Sequence, residues 1–193
     1  MDRRQGRLIL FNGASSAGKT TLCRALQARL AEPFWHYSID HFRGRVLPWE
    51  RIERGEFAWP SLRPAYIDGF HRCLPALAQA GNDLIVDHIV ETAAWMSDLV
   101  RLLEQFDVYF VGVHCPLAEL ERRERARGDR RAGEARNDFE TVHAHCTYDL
   151  EVDGTRAVGE NVDVVVSAWL ARRRPGAFER MRAEQRRRMP NAG

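Results

Sequence analysis

The chain has 193 residues, 45% hydrophobic and 29% charged, with a formal net charge of +2; this balance specifies one compact domain and excludes disorder and collagen-like repetition. A chain this long buries roughly 70% of the surface its unfolded form exposes, so it needs neither disulfides nor a structural metal to fold. No apolar run approaches the roughly 18 residues of a membrane span, and MDRRQGRLILFNG has too short an apolar core for a signal peptide, so the expectation is a cytoplasmic protein without membrane contact.

Residues 7–12, RLILFN, read as a buried strand running into an Asn-Gly turn. The next eight residues, Gly13-Ala14-Ser15-Ser16-Ala17-Gly18-Lys19-Thr20, match G-x-x-x-x-G-K-[ST] between a strand and a helix, where that motif has to sit. Its two glycines let the backbone turn a ring of N–H groups inward, and the following helix adds the positive end of its dipole. Together these groups suit a polyphosphate, here ATP. Lys19 is placed to reach the β and γ phosphates, the Thr20 hydroxyl to join the coordination sphere of Mg²⁺, and Thr21 to continue the loop into the helix. Of 29 basic residues Lys19 is the one lysine, which points to a position that needs a compact ammonium instead of a planar fork.

Leu22, Ala25, Leu26, Arg29 and Leu30 continue as a helix ended by Pro33, and residues 35–39, WHYSI, form a second strand that delivers Asp40 to the edge of the phosphate loop. A carboxylate there can take the proton of an attacking hydroxyl, or it can cap a helix. Residues 42–64 lack a clean period and read as irregular, with a short helix near 49–54. Trp49, Phe57 and Trp59 in that stretch either pack the domain or line an acceptor pocket. Ile67, Phe70, Leu74 and Leu77 restore a helical stripe closed by Gly81, with a kink implied by Pro75.

LIVDHIV, 84–90, is a third strand and VYFVGVH, 108–114, a fourth, with a helix through Trp95, Leu99 and Leu103 between them. Strands apolar throughout and separated by helices mark a parallel sheet covered on both faces. Asp87 inside such a strand needs a partner, which Mg²⁺ or a buried ion pair supplies. His88 falls on the opposite face and is either structural or acceptor-facing.

Residues 117–136 carry seven arginines and five acids and cannot be core; their place after the fourth strand suggests a lid over 118–136 whose arginines close on ATP. A helix with Phe139, Val142 and Cys146 inward follows, then a strand over 148–152 and a helix through Val162, Val165, Val166, Trp169 and Leu170. His143, His145 and Cys146 do not share a helical face and make no metal site. The four cysteines, at 23, 73, 115 and 146, lie too far apart for a thiolate metal motif and read as buried, reduced thiols. The stretch 172–188 holds eight arginines against two glutamates, a local charge of +6 that leaves −4 elsewhere, so nucleic acid is not the expected partner. It is expected as a basic extension, 172–193, to a domain over 1–171, with a helix from Ala177 to Arg188.

ILFNGASSAGKT, the Asp of YSID, the strand LIVDH, VGVHC before the lid, ERARGDRRAG and TYDLEVDGT together resemble the chloramphenicol phosphotransferase-like proteins over most of residues 7–170. That resemblance implies an α/β fold like the nucleoside monophosphate kinases, three layers around a five-stranded parallel sheet. It also implies transfer of the γ-phosphate of MgATP to a hydroxyl of a small molecule. By the same resemblance Asp40 is the general base, Gly13 to Thr20 bind ATP, and Arg123, Arg127 and Arg130 are lid arginines, with Arg127 and Arg130 catalytic alongside Lys19. This chain has His88 where the family's strand usually carries a second acid, and residues 42–64 do not match the family's acceptor region. Two other readings stay open: a kinase for another metabolite or nucleotide acceptor, and a non-catalytic nucleotide-binding module with a basic tail. A homo-oligomer is also open.

Overall fold

A computed structural model of the chain describes residues 4–127 and 133–188. Five parallel strands, β1 (Leu8–Asn12), β2 (Phe34–Ser38), β3 (Asp83–His88), β4 (Val108–His114) and β5 (Leu150–Asp153), form one sheet in the order β2-β3-β1-β4-β5. The helices are α1 (Lys19–Arg29), α2 (Ile39–Val46), α3 (Trp49–Glu53), α4 (Trp59–Gln79), α5 (Ala93–Leu102), α6 (Leu117–Arg127), α7 (Glu134–Thr141), α8 (Val158–Leu170) and α9 (Ala177–Arg188). The expected three-layer α/β architecture is therefore present. Among the described residues no helix is long and apolar enough to cross a membrane.

Strand alternation sorts the core into two halves. Ile9, Phe11, Ile85, Val111 and Val113 pack with Leu22, Leu26 and Trp169 of α1 and α8, while Leu8, Leu10, Leu84, Val86 and Phe110 pack with Phe70, Leu74 and Leu99 of α4 and α5. Because β1 is central, with β3 and β4 on its two sides, its carboxyl end meets both neighbours, and the loop that follows it lies at the middle of the sheet edge. At the opposite edge Asp83 accepts the Arg7 backbone N–H at 2.7 Å and the Arg7 guanidinium at 2.6 Å. Burial pushes that carboxyl up, but the bonds from Arg7 and Arg4 outweigh it and hold it at about 2.

Residues 42–64 correct the expectation of irregular chain, because three helices cover most of them. The Ser38 side chain caps α2 by accepting the Asp40 N–H, and Pro60 sits in the first turn of α4, where a missing N–H costs nothing. Their aromatic residues pack on one another: Trp49 meets Trp59 edge-on at 5.3 Å, Trp59 meets Tyr66 at 5.4 Å, and Phe42 meets Phe70 at 6.0 Å. A period fails to show in this stretch since α2 and α3 have 8 and 5 residues and only the start of α4 falls within it. Two smaller expectations change. Phe139 is 43% exposed instead of inward, whereas Val142 is fully buried. Cys73 and Cys146 are half-buried, although all four thiols are free.

Helix α9 lays Ala177, Phe178 and Met181 against the sheet, with Phe178 edge-on to Phe110 at 5.4 Å. Asp149 fastens it, accepting the N–H groups of Phe110 at 2.9 Å and Ala177 at 2.6 Å. Phe178→Ala should therefore destabilise the whole domain by about 3–5 kcal/mol in urea unfolding, the usual cost of emptying a buried phenylalanine site.

Candidate active site

The loop between β1 and α1 has the shape its residues require. Gly13 lies so close to β4 that a Cβ there would sit 2.5 Å from the Val113 carbonyl oxygen. Gly18, with φ of 94°, adopts a left-handed backbone that side chains resist, and Ser16 shares it with φ of 65°. Ser15 and Ser16 are buried, and among the described residues the Ser16 hydroxyl oxygen has no hydrogen-bond partner. A buried hydroxyl left so, just ahead of the N-terminus of α1, fits a ligand rich in acceptor oxygens. Lys19 is 6% exposed, and its ammonium donates to the carbonyls of Gly13 and Ala14, each at 2.8 Å.

The side of β3 facing α1 supplies the next oxygen. Asp87 is 4% exposed and accepts the Thr20 hydroxyl at 2.6 Å. The buried carboxylate thus has its partner, and a hydroxyl and a carboxylate side by side at the mouth of the loop are the hard oxygen donors that Mg²⁺ takes. His88, one residue on, faces the other core, as alternation requires, with its Nε2 2.8 Å from Nε2 of His71. Desolvation lowers the pKa of both rings, that of His71 to about 4.

Three concavities meet around the loop. One of about 20 Å³ at its mouth includes Lys19, Thr20, Asp87 and Asp40. A second of about 440 Å³ runs along the α1 side past Gly18, Arg123, Val158 and Asn161. The third, of about 530 Å³, is walled by Trp59, Tyr66, His88, Ile89 and Trp95, and Asp40 stands in it as well. Its rim is charged but balanced, since Arg63 pairs with Glu91 and lies over the Trp95 ring at 4.8 Å. Asp40 belongs to both the loop mouth and the aromatic cavity, which puts this residue at their junction.

Arg123, expected as a lid arginine, lies on α6 beside the loop. Its guanidinium donates to the Gly154 carbonyl at 3.0 Å and to Glu119 at 2.6 Å, and it lies 3.5 Å from the Cβ position of Gly18. The side chain of Arg127, and all of Arg130, lie outside the described residues. Of the aromatics, Trp59 lines the large cavity, Trp49 packs on it, and Phe57 is 37% exposed. His143 stacks on His114 at 4.0 Å, and its Nδ1 is 2.6 Å from the Tyr148 hydroxyl.

Sequence reasoning missed Asp138 of α7, whose Oδ2 accepts the Ser15 N–H of the cradle at 2.8 Å. It also missed Asn12, which joins β1 to three other segments: its amide donates to the Val142 carbonyl and the Tyr148 hydroxyl and accepts the Val90 N–H, each at 2.8 Å. An Asn at the end of an apolar strand was the available signal, since a buried amide requires partners.

Comparison with known proteins agrees with this geometry. The family model described as chloramphenicol phosphotransferase-like protein matches residues 6–170. The Mycobacterium tuberculosis protein named Putative O-phosphotransferase Rv2636 is 35% identical over 199 residues, covering 92% of this chain and 88% of that one. Among solved structures, the Mycobacterium tuberculosis APS kinase CysC in complex with AMPPNP and APS superposes with a TM-score of 0.66 at 19% identity, covering 86% of this chain and 98% of that one. A gluconokinase from Sinorhizobium meliloti gives 0.61 at 13% identity, over 86% and 92%. The last two likenesses establish the fold.

Two outcomes test this arrangement. Asp138→Asn removes a negative charge from the cradle, so ATP should bind more tightly, toward the tenfold that about 1.4 kcal/mol is worth, in calorimetric titration; unchanged or weaker binding would contradict the arrangement. The lowered pKa of His71 leaves the folded ring neutral where the unfolded one charges, so the unfolded state binds more protons below pH 6.5. Stability from this group should hold above pH 6.5 and fall by roughly 3 kcal/mol as the pH drops toward 4, read from urea midpoints. His71→Gln should flatten that slope.

Proposed function

The chain belongs to the chloramphenicol phosphotransferase-like family, and from that premise we propose that it transfers the γ-phosphate of ATP, with Mg²⁺, to the hydroxyl of a small acceptor seated in the aromatic cavity. The observation that carries this reading is the position of Asp40, shared between the loop mouth and that cavity. A hydroxyl entering from the cavity side meets a carboxylate before it meets the phosphate.

In this reading the amides of residues 13–20 and the Lys19 ammonium hold the polyphosphate, while the groove past Gly18, Val158 and Asn161 takes the nucleoside. Thr20 and Asp87 hold the magnesium ion, which supplies charge neutralisation on the phosphate oxygens. Asp40 accepts the proton of the acceptor hydroxyl as it attacks, and Arg123, with the lid arginines 127 and 130, offsets charge developing on the transferred group. Phosphoryl transfer depends mainly on position and charge, so a rigid cradle facing one carboxylate is sufficient machinery. The lining of this cavity by Trp59, Tyr66 and Trp95 favours an acceptor with an apolar or aromatic body. Chloramphenicol has that character and is the first acceptor to test.

With ATP labelled on its γ-phosphate and a panel of alcohols including chloramphenicol, label should move to the acceptor as ADP accumulates. Asp40→Asn should lower turnover by roughly 10²–10⁴-fold, the range of general base catalysis, with ATP affinity retained. Normal turnover in that variant would remove Asp40 from the role of base. ATP binding without transfer to any acceptor would favour a nucleotide-binding module instead.

A further inference from the structure

Among the described residues one group of three metal-ligating side chains closes on a point: Cys23 of α1, His36 of β2 and Asp87 of β3, whose donor atoms all lie within 4.8 Å of one another. Three separate elements bring them together beneath the phosphate cradle. Cys23 is fully buried and Asp87 is 4% exposed. The His36 side chain is 6% exposed, and its Nε2 stands 3.9 Å from Asp87 Oδ2 with no hydrogen-bond partner among the described residues. A buried ring nitrogen left in this way is costly. Neither Cys23 nor His36 has a part in the transfer proposed above.

The donor set selects its ion. Mg²⁺ takes oxygens in an octahedron, whereas one thiolate, one imidazole and one carboxylate are the ligands of a borderline-soft dication such as Zn²⁺. Bonds of about 2.0–2.3 Å in a tetrahedron place ligand atoms about 3.3–3.8 Å apart. The His36 to Asp87 separation is already close to that, and the widest gap closes by a shift of about 1 Å. A fourth position is left for solvent, as in zinc sites with three protein ligands.

We propose that Cys23 Sγ, His36 Nε2 and the Asp87 carboxylate form a zinc-class metal site, and that its occupation stops phosphoryl transfer by taking Asp87 from the Thr20 hydroxyl. The first half stands on the three donors alone; the second rests on Asp87 serving the magnesium ion. As the sulfur–metal bond forms, the Cys23 thiol gives its proton to solvent, His36 and Asp87 donate lone pairs, and no electron changes hands.

Cobalt(II), the spectroscopic stand-in for zinc, tests the site on the full chain with neither nucleotide nor acceptor. A thiolate-to-cobalt charge-transfer band should appear in the near ultraviolet, with one proton released per ion, and zinc should bleach it. Cys23→Ser should abolish the band, and His36→Asn should weaken binding by at least the roughly 10–100-fold that even outer partners of such sites contribute. His36 belongs to neither apolar core cluster, so its variant keeps the test open if the serine variant unfolds. No band, or a band that survives both substitutions, overturns the site. For the switch, zinc at a fixed magnesium concentration should inhibit transfer reversibly by chelator in the natural protein and not in His36→Asn. Zinc binding without inhibition refutes the switch and leaves the site standing.

Discussion

The backbone at the carboxyl end of β1 makes one tight turn into α1, and the rest of the site is arranged around that turn. It exists only because Gly13 can lie against the Val113 carbonyl and Gly18 can adopt a positive φ. The central place of β1 then sets β3 with Asp87 on one side and β4 on the other. A buried ammonium at the start of α1, held by two carbonyls, complements the amides. Electrostatics of this kind act strongly because the groups are fixed and removed from water before any ligand arrives.

What the sequence makes legible is what local chemistry determines. The strands β1, β3 and β4 are continuous apolar runs, since both faces of the sheet are covered, and α8 is distinguished from a strand by Val162, Val165, Val166 and Trp169 at helical spacing. Asp87 is legible as a carboxylate that must have a partner inside such a run, and the partner it has is the Thr20 hydroxyl at 2.6 Å. Asp40 is legible as a residue at the strand end, and the proposed role as base is compatible with its place in the first turn of α2, because the cap itself comes from Ser38.

The acceptor side was not legible, for a physical reason. Helices α2, α3 and the start of α4 are short, and their aromatic residues contact one another across turns instead of lining one helical face. Asp138 escaped for a similar reason, because its contact with Ser15 spans 123 residues and α7 carries few apolar positions to reveal which side faces inward. Long-range polar contacts leave no period. Phe139, beside it, was assigned inward by hydrophobicity alone and is exposed.

The groove past Gly18 and Arg123, the loop mouth and the aromatic cavity lie in that order along the carboxyl edge, with Asp40 at the last junction. A crystal structure with a non-hydrolysable ATP analogue and magnesium measures this order directly. The account predicts the β and γ phosphates on the amides of residues 14–20 and the Lys19 ammonium, with the γ-phosphate turned toward the Asp40 carboxylate. An analogue bound elsewhere, or seated with its terminal phosphate pointing away from the cavity of Trp59 and Trp95, would contradict it.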